Sequence, residues 1–314
     1  MEKVITARQQ ACIFPAFGAE YLGNERDIIA RCGYDLGPLM EKAERVSGFD
    51  RSVFLGVADG DFTDELQSQY AIYLYGCAVS DILERENIHG CCCAGYSMGI
   101  YAALYHCGSC SFDDGLRLID EAYRLILDAA AAFDFGMGVV VGPDLDDLRS
   151  VIRNFGADVE IININNRHSF TVAGIRSDVV RVLDGIKAEG ALNTRLLSMK
   201  APYHSKHMDS ASDRFRDFCG TIGLNDPRIP LVSTIDQKLI LTRADVIGDL
   251  CRNINHNINW HETMSSMVGR GVSVFYECGP GRTLQKLAKF IDGDFTIITM
   301  KKLADAIGAA GNSR

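Results

Sequence analysis

Apolar and polar positions follow two different periods along the chain, one typical of strands and one typical of helices. Two short apolar runs, 11–15 and 89–95, predict buried strands. Longer stretches with helical spacing of apolar positions cover 37–46 and 64–87, and helical patterns resume after Ser97 and from Phe112. Because strands and helices alternate, we expect a mostly parallel sheet with helices on both faces.

The segment 134–197 has a different order of patterns. It predicts a strand, a helix, two strands, a helix and a strand, over 137–141, 144–155, 159–164, 169–173, 177–189 and 193–198. The order βαββαβ is that of a ferredoxin-like unit. Later patterns predict a strand over 274–277, a turn, a helix from Thr283, and a frayed tail from Ala309. We therefore predict a large α/β domain formed by 1–133 and 198–314, and a small subdomain formed by 134–197.

Composition narrows the class of protein. The chain has 314 residues, of which 47% are hydrophobic and 23% are charged, as in ordinary globular proteins. With 32 basic and 41 acidic residues the net charge is −9, so we expect no nucleic-acid partner. No apolar stretch reaches 18 residues and the first residues lack a secretory pattern, so we expect a cytoplasmic protein without a membrane span.

The eleven cysteines favour packing over metal or redox chemistry. A chain of this length does not need disulfides to fold, so we expect reduced and mostly buried thiols. The run Cys91–Cys93 is consistent with a buried strand. Cys107 and Cys110 form a single C-x-x-C with no second pair at zinc spacing, so we predict no metal site.

The segment Gly95–Gly99, of sequence G-Y-S-M-G, fits the pattern G-x-S-x-G between a predicted strand and a predicted helix. Glycines are needed there because the strand turns so sharply into the helix that flanking side chains would collide. The turn exposes the hydroxyl of Ser97 at a helix N-terminus, where N–H groups favour developing negative charge. Ser97 is therefore a candidate nucleophile, and the N–H of Met98 is a candidate oxyanion donor.

A serine nucleophile needs a base, which is normally a histidine. Of the seven histidines, His204 lies in a proline-containing loop directly after the predicted small subdomain, where a cleft between domains would open. His207 and His256 are the next candidates. His89 and His106 flank the sharp turn at Gly95–Gly99, called the elbow below, and fit a packing or capping role better.

Several blocks of the sequence occur in the same order as the motifs of a known family. Phe14–Gly18 is similar to the family motif F-P-G-Q-G, and Ser68–Ala71 is similar to T-Q-P-A. Gly95–Gly99 is similar to G-H-S-x-G, and Ser111–Asp114 continues that match. Further blocks are Ile162–Asn165, similar to its N-x-N strand, Ala201–Ser205 with Met208, similar to its histidine segment, and two later ones, Asn259–Trp260 and Glu277–Gly281. On these blocks the chain resembles, almost end to end, the malonyl-CoA:acyl-carrier-protein transacylase family, which includes acyltransferase domains of polyketide synthases.

The resemblance implies an α/β-hydrolase-like large domain with an inserted ferredoxin-like subdomain, acting as a monomer without a bound cofactor. It also implies a two-step reaction, in which Ser97 takes an acyl group from acyl-CoA or acyl-carrier protein and passes it to the phosphopantetheine thiol of an acyl-carrier protein. His204 would move the proton and be oriented by the backbone carbonyl of Asn253. The N–H of Phe17 would be the second oxyanion donor.

Three positions depart from the family pattern. Phe17 replaces a glutamine, and Tyr96 replaces the usual elbow histidine. Ala122 stands where the family has the arginine that pairs with the free carboxylate of malonyl, and a buried carboxylate without that partner is costly. Residues assigned to the acyl pocket are Phe17, Tyr96, Ala122, Asn165 and Tyr203.

Three other arginines bear on the acyl group. Arg124 would point about 200° away from position 122 around the helix. Arg117 would be an ordinary helix residue, whereas Arg167 is a weak candidate substitute. We therefore predict an acyl group without a carboxylate. The alternatives are a malonyl-specific transacylase, an acyl-thioester hydrolase that clears carrier proteins, and a catalytically silent carrier-binding subunit.

Overall fold

A computed structural model of the chain describes residues 9–16, 24–52, 64–132 and 134–311, and it forms two β-sheets with packed helices. The strands are β1 Gln9–Phe14, β2 Cys92–Gly95, β3 Phe135–Val141, β4 Val159–Asn166, β5 Ser169–Ile175, β6 Asn193–Leu197, β7 Leu231–Val232, β8 Leu239–Ile240, β9 Ile258–Asn259, β10 Val272–Glu277 and β11 Thr296–Thr299. The helices are α1 Glu25–Arg31, α2 Gly37–Ser47, α3 Glu65–Arg85, α4 Gly99–His106, α5 Phe112–Ala130, α6 Leu145–Phe155, α7 Arg176–Ala188, α8 Asp209–Cys219, α9 Arg243–Asn255, α10 Trp260–Gly269, α11 Thr283–Leu287 and α12 Met300–Gly311. The expectation of a mixed α/β fold is confirmed.

The large sheet has the strand order β11-β10-β1-β2-β7-β8. Strands β11, β10, β1, β2 and β7 pair in parallel, and β8 joins β7 in antiparallel. The carboxyl ends of the central strands meet at one edge, where Phe14 lies opposite Gly95 and Ile13 lies opposite Glu277. In open α/β sheets, this edge is where ligand-binding residues are placed.

Helix α3 is the central helix of the large sheet's core. It begins at Glu65 because the side chain of Asp64 accepts the N–H groups of Leu66 at 2.9 Å and Gln67 at 3.1 Å. Its apolar residues are buried around almost the whole circumference, as expected of a helix covered on all sides. The predicted helix over 64–87 is therefore confirmed, within two residues at each end.

The second sheet has the order β6-β3-β5-β4-β9. From β3 to β6 the chain runs through α6 between β3 and β4 and α7 between β5 and β6, so the predicted βαββαβ order is observed. Val140, Phe170 and Val172 pack against both helices in a core of their own. Helix α6 begins at a capping box between Asp144 and Asp147.

The fifth strand of this sheet comes from outside 134–197. Strand β9 pairs in parallel with β4, with Asn163 opposite Ile258 and Ile164 opposite Asn259. The side-chain amide of Asn166 also donates to the carbonyl of Leu287 at 3.3 Å. The second sheet is therefore tied to the later part of the chain, and the predicted division into two domains stays a prediction.

Two local predictions need correction. The strand predicted over 89–95 begins only at Cys92, and Cys91 is exposed, because the chain still bends at that residue. The tail predicted to fray from Ala309 continues as helix α12 to Gly311. All eleven cysteines are unbridged and ten of them are buried, as predicted.

Over the residues that the structure describes, no helix is both long enough and apolar enough to cross a membrane.

Candidate active site

The turn between β2 and α4 is as tight as the two glycines of the sequence pattern suggest. A Cβ added to Gly95 would lie 2.2 Å from the nitrogen of Ile100. A Cβ added to Gly99 would lie 2.2 Å from the carbonyl oxygen of Phe14, on the neighbouring strand. Displacing these backbone atoms would cost too much free energy, so both positions require glycine.

Ser97 itself has a backbone conformation that side chains rarely adopt. Its φ is 54°, in the left-handed region, and the turn is closed by the N–H of Gly99 donating to the carbonyl of Tyr96 at 2.9 Å. Such a conformation costs of order 1–3 kcal/mol and persists only where the surroundings impose it. The strain holds the hydroxyl at the carboxyl edge of the sheet, at the start of α4.

His204 reaches the same point from a loop after the second sheet. Its N–H donates to the carbonyl of Ile254 at 2.9 Å, and its φ of 61° is also in the left-handed region. This backbone conformation brings Nε2 of the ring to 2.7 Å from Oγ of Ser97. The structure thus brings together the two residues that the sequence selected as nucleophile and base.

The tautomer of His204 follows from its partners. Nδ1 lies 2.5 Å from the backbone carbonyl oxygen of Asn253, which can only accept a hydrogen bond. Nδ1 therefore carries the proton, and Nε2 has a free electron pair directed at the hydroxyl of Ser97. The side-chain amide of Asn253 also donates to the carbonyl of Ser97 at 3.4 Å, so one residue supports both partners.

The charge state of His204 is set by its environment. The ring is buried, with only 4% of the residue exposed. This desolvation lowers the pKa of His204 to about 4, even though the hydrogen bond to the Asn253 carbonyl acts in the opposite direction. At neutral pH the ring is uncharged, which is the state that can accept a proton.

A cleft opens beside the pair. Besides Ser97, Met98 and His204, side chains from α3, α5, the His204 loop and α9 line it, among them Gln69, Ala122, Tyr123, Ile126, Tyr203 and Ile254. Ala122 and Tyr203, two of the residues assigned to the acyl pocket, are therefore in contact with this space. Among the described residues that line it there is no arginine or lysine.

The arginines considered from the sequence have other partners. Arg124 pairs with Glu121 at 2.5 Å and with Asp128 at 3.1 Å on the exposed face of α5. Arg117 pairs with Asp114 at 3.0 Å, and Arg167 pairs with Asp292. None of these guanidinium groups is among the described residues around the cleft.

Tyr96 and Asn165, also assigned to the acyl pocket, bind each other and are not among the described lining residues. The hydroxyl of Tyr96 donates to Oδ1 of Asn165 at 2.6 Å and accepts from the amide of Asn163 at 2.8 Å. Its ring packs edge-on against Trp260 at 5.5 Å between centroids. Burial raises the pKa of Tyr96 to about 12, so it stays a neutral link between the elbow and β4.

Of the two predicted oxyanion donors, Met98 and Phe17, only Met98 lies among the described residues. Met98 immediately precedes the first residue of α4, so its N–H has no acceptor within that helix and faces the start of the helix dipole. Phe17 lies outside the described residues. Both assignments stay predictions.

The remaining histidines do not reach Ser97. Nε2 of His207 lies 3.8 Å from Oδ2 of Asp158, and the ring packs on Phe135. His256 contacts the side chain of Asn255 at 2.8 Å. His106 contacts the hydroxyl of Ser80 at 2.8 Å and not that of Ser97.

The segment Glu277–Gly281 supports the edge of the sheet on which Ser97 lies. The carboxylate of Glu277 accepts the N–H groups of Leu284 at 2.7 Å and Gln285 at 3.0 Å, although burial raises its pKa to about 7. A Cβ on Gly279 would lie 2.1 Å from Cγ of Pro15. This block therefore packs against the end of β1 as a structural turn.

Sequence reasoning did not assign Gln69, Tyr101, Tyr123 or Ile126 to the cleft. Gln69 belongs to a block quoted for the resemblance, which was a signal that could have found it. The other three lie on helices whose packing against the elbow is visible only in three dimensions.

Together the parallel sheet, the strained elbow and the serine–histidine pair define a class of α/β protein whose serine is equipped for nucleophilic attack. The described residues contain no cluster of three or more potential metal ligands that would suggest a different chemistry. The family model "Acyl transferase domain" matches residues 15–289, which is most of the chain. The chain belongs to this family of acyl transferase domains.

Known proteins similar to the chain carry a consistent name. The malonyl CoA-acyl carrier protein transacylase of Escherichia coli K12 is 27% identical over 293 residues, covering 90% of this chain and 93% of that protein. The protein of the same name from Bacillus subtilis is 23% identical over 291 residues, covering 90% of each. A solved type II PKS malonyl-transacylase in complex with its acyl-carrier protein has a TM-score of 0.84 and 25% identity, covering 97% of this chain and 99% of that one.

Proposed function

We propose that the chain is an acyltransferase that moves an acyl group from acyl-CoA or an acyl-carrier protein to the phosphopantetheine thiol of an acyl-carrier protein, in fatty-acid or polyketide biosynthesis. The observation that carries the proposal is the 2.7 Å contact between Ser97 Oγ and His204 Nε2 at the carboxyl edge of the sheet. Membership of the acyl transferase family and the names of its relatives support the choice of acyl carrier.

The proposed reaction has two steps, and the second reverses the bond changes of the first with a different thiol. As Oγ of Ser97 forms a bond to the thioester carbon, Nε2 of His204 takes the hydroxyl proton. The C–S bond then breaks, and His204 returns the proton to the leaving sulfur, which gives an acyl-Ser97 ester and a free thiol. In the second step the phosphopantetheine thiol loses its proton to His204 and attacks the ester, and Ser97 recovers the proton.

Backbone groups supply the remaining parts of this mechanism. The carbonyl of Asn253 holds His204 in the required tautomer and stabilises the imidazolium that forms transiently. The N–H groups of Met98 and Phe17 are the proposed donors to the developing oxyanion. No bound cofactor or metal takes part in these steps.

The acyl group proposed is one without a free carboxylate, such as acetyl or a longer acyl chain. Ala122, with 3% of its surface exposed, stands in the cleft where a carboxylate clamp would be expected from the family resemblance. A buried carboxylate without a partner is unfavourable by several kcal/mol. The apolar and aromatic lining favours an uncharged chain instead.

The proposal also includes a division of the chain into two domains. Residues 1–133 and 198–314 would form an α/β-hydrolase-like domain, and 134–197 a ferredoxin-like subdomain. The parallel order of β10, β1 and β2 and the order β6-β3-β5-β4 support these two descriptions. The pairing of β9 with β4 would tie the insertion to the large domain through a shared sheet.

Mass spectrometry of the intact protein after incubation with a mixed pool of acyl-CoAs tests the function. We expect a mass increase on Ser97 that disappears when an acyl-carrier protein with a free phosphopantetheine is added, with the acyl group recovered on the carrier. An adduct that decays to free acid without a carrier would indicate a hydrolase. The absence of any adduct would indicate a silent binding subunit.

The pH dependence of acylation follows from the pKa of His204. The base acts only when neutral, so activity is present above its pKa and is lost as the pH falls through it. Because burial lowers that pKa to about 4 from the ordinary 6.5, the acylation rate should stay level from pH 7 to 5.5 and halve near pH 4. Rapid-mixing measurements of ester formation, with circular dichroism to verify folding, would check this. A half-point at or above 6.5 would contradict it.

Ala122→Arg should shift the preference of the enzyme towards malonyl. An arginine on this face of α5 would offer two parallel N–H donors to a carboxylate inside the cleft. We expect the ratio of malonyl to acetyl loading to rise by about 10- to 100-fold, the equivalent of about 1.4–2.7 kcal/mol. Competition between equimolar malonyl- and acetyl-CoA, read by adduct mass, measures this ratio.

Ala131→Arg is the matched control for that substitution, because it places the same side chain on an exposed position at the end of the same helix. It should leave the ratio unchanged. Strong malonyl loading by the unmodified protein would show that Ala122 does not determine the acyl group.

A further inference from the structure

A buried carboxylate lies beside the cleft and is not used by the proposed mechanism. Glu65 is the first residue of α3, and only 8% of its surface is exposed. Gln69, four residues later and therefore on the same face of the helix, lines the cleft beside Ser97. The carboxyl group of Glu65 is thus one helical turn from the acyl-binding space.

Glu65 is connected to the cleft wall through Tyr203. The phenol hydroxyl of Tyr203 donates to Oε1 of Glu65, and the backbone N–H of Lys200 donates to Oε2 at 3.4 Å. A phenol has a single proton. With this proton directed at Glu65, Tyr203 lines the cleft with its ring and oxygen lone pairs but offers no donor to a ligand.

The charges around Glu65 do not cancel its effect on the cleft. Lys200 is the nearby cation, but its side chain is exposed to solvent. A solvated ammonium compensates a buried carboxylate only weakly. Asp64, the neighbouring N-cap, adds a second negative charge on the same side.

Burial raises the pKa of Glu65, while the hydrogen bonds from Tyr203 and Lys200 and the charge of Lys200 act to keep it ionised. Burial and the adjacent Glu65 also raise the pKa of Tyr203 well above its ordinary value, so the phenol remains the donor in this pair. With Glu65 ionised, the part of the cleft wall formed by Tyr203 combines a negative potential with the absence of a donor from Tyr203.

This inference rests on the proposed acyl transfer. We propose that Glu65 determines the specificity for the acyl group: through its negative charge and its hold on the Tyr203 hydroxyl, it excludes acyl groups that carry a free carboxylate and admits neutral ones. Glu65 does not touch the reacting atoms, so it acts as a positioning and electrostatic residue. Its effect is separate from that of Ala122, which concerns a missing cation rather than a present anion.

The test is the competition between malonyl- and acetyl-CoA for Ser97, measured by adduct mass in Glu65→Gln. This substitution keeps the shape of the side chain and its ability to accept from Tyr203 but removes the charge. We expect the ratio of malonyl to acetyl ester to rise at least about tenfold, the size of effect that a like charge produces in a partly desolvated site. Most of the change should lie in malonyl loading, with acetyl loading altered less than about twofold.

Glu84→Gln is the matched control, because it removes the same charge from the exposed far end of α3. It should leave the ratio unchanged, and an equal rise there would overturn the inference, because the effect would then come from net charge alone. Glu65→Asp keeps the charge and should keep malonyl excluded. A rise in Glu65→Asp like that in Glu65→Gln would mean that packing, not charge, sets the ratio.

Tyr203→Phe removes the hydroxyl and keeps the carboxylate of Glu65, so that the two effects can be distinguished. It gives a second measurement if Glu65→Gln folds poorly. The charge of Glu65 remains in this variant, so malonyl should still be excluded. An unchanged ratio in Glu65→Gln, with acetyl loading intact, overturns this inference and leaves the acyltransferase proposal standing. If the unmodified protein forms no adduct on Ser97 with any member of the mixed acyl-CoA pool, the proposed function itself is wrong.

Discussion

Replacing Ser97 by alanine should abolish the acyl-protein adduct and reduce acyl transfer by about 10⁴- to 10⁶-fold, the range that loss of a serine nucleophile produces. Ser97 is the proposed source of the oxygen that bonds to the acyl group, and among the described residues no other hydroxyl is hydrogen-bonded to Nε2 of His204. The elbow should keep its shape, because alanine retains the Cβ that the turn already accommodates at a φ of 54°. Intact-protein mass spectrometry with acetyl-CoA measures the adduct, and a carrier-protein assay measures the transfer.

Ser80→Ala is a stringent control for that experiment. Like Ser97, Ser80 contacts a histidine ring, since its hydroxyl lies 2.8 Å from Nδ1 of His106, and it is buried. It differs from Ser97 in lying inside helix α3 and not at the elbow. Adduct formation should be retained in this variant, and an adduct that persisted in Ser97→Ala would place the nucleophile elsewhere.

The order of the longer elements could be predicted from periodicity because burial imposes it. The 21-residue helix α3 and the amphipathic helices α6 and α7 each repeat their pattern over at least three turns, which fixes the element type. Strands β7, β8 and β9 have only two residues each, and no alternation can be recognised over that length. Their positions depend on the strands beside them, not on their own sequences.

Helix α9 was missed although its signals were present. Thr242 and Asp245 form a capping box, in which each side chain accepts the other's backbone N–H. The buried residues Val246, Leu250 and Ile254 follow at intervals of four. This helix carries Asn253, so the local signals could have explained why that carbonyl reaches His204. Without them, its role was implied only by the family resemblance.

The elbow could be predicted from the sequence because the five residues of its G-x-S-x-G pattern are contiguous. The collision that a side chain at Gly99 would make involves Phe14, however, and the pairing of β1 with β2 that causes it is a tertiary feature. The same limit applies to Tyr96, for which the sequence offered no explanation. Only the fold reveals that its hydroxyl binds Asn163 and Asn165 across the gap to the second sheet.

The cleft wall was the least predictable part of the site. Ala122 was found by its alignment with a family position, and the structure places it beside Ser97. The contact between Glu65 and Tyr203 joins residues 138 positions apart, and no pattern along the chain relates them. The proposed determinants of specificity therefore depend on long-range packing, while the proposed nucleophile depends on a local motif.

Replacing His204 by alanine should slow both half-reactions by about 10³- to 10⁴-fold, since one proton carrier serves both. The reduction should be smaller than that in Ser97→Ala, because the hydroxyl and the backbone donors remain and can still be acylated slowly. The variant should therefore form the adduct over a long incubation, and the dependence of the rate on a pKa near 4 should be lost.

His207→Ala is the matched control, because His207 lies on the same loop segment but packs on Phe135 and faces Asp158 instead of Ser97. It should change the acylation rate by less than about threefold, in line with the small effect of residues outside the reacting group. Single-turnover ester formation from acetyl-CoA distinguishes the two variants. Equal losses in both would mean that the loop acts through its fold, whereas a loss confined to His204→Ala would mean that the imidazole at 2.7 Å from Ser97 moves the proton.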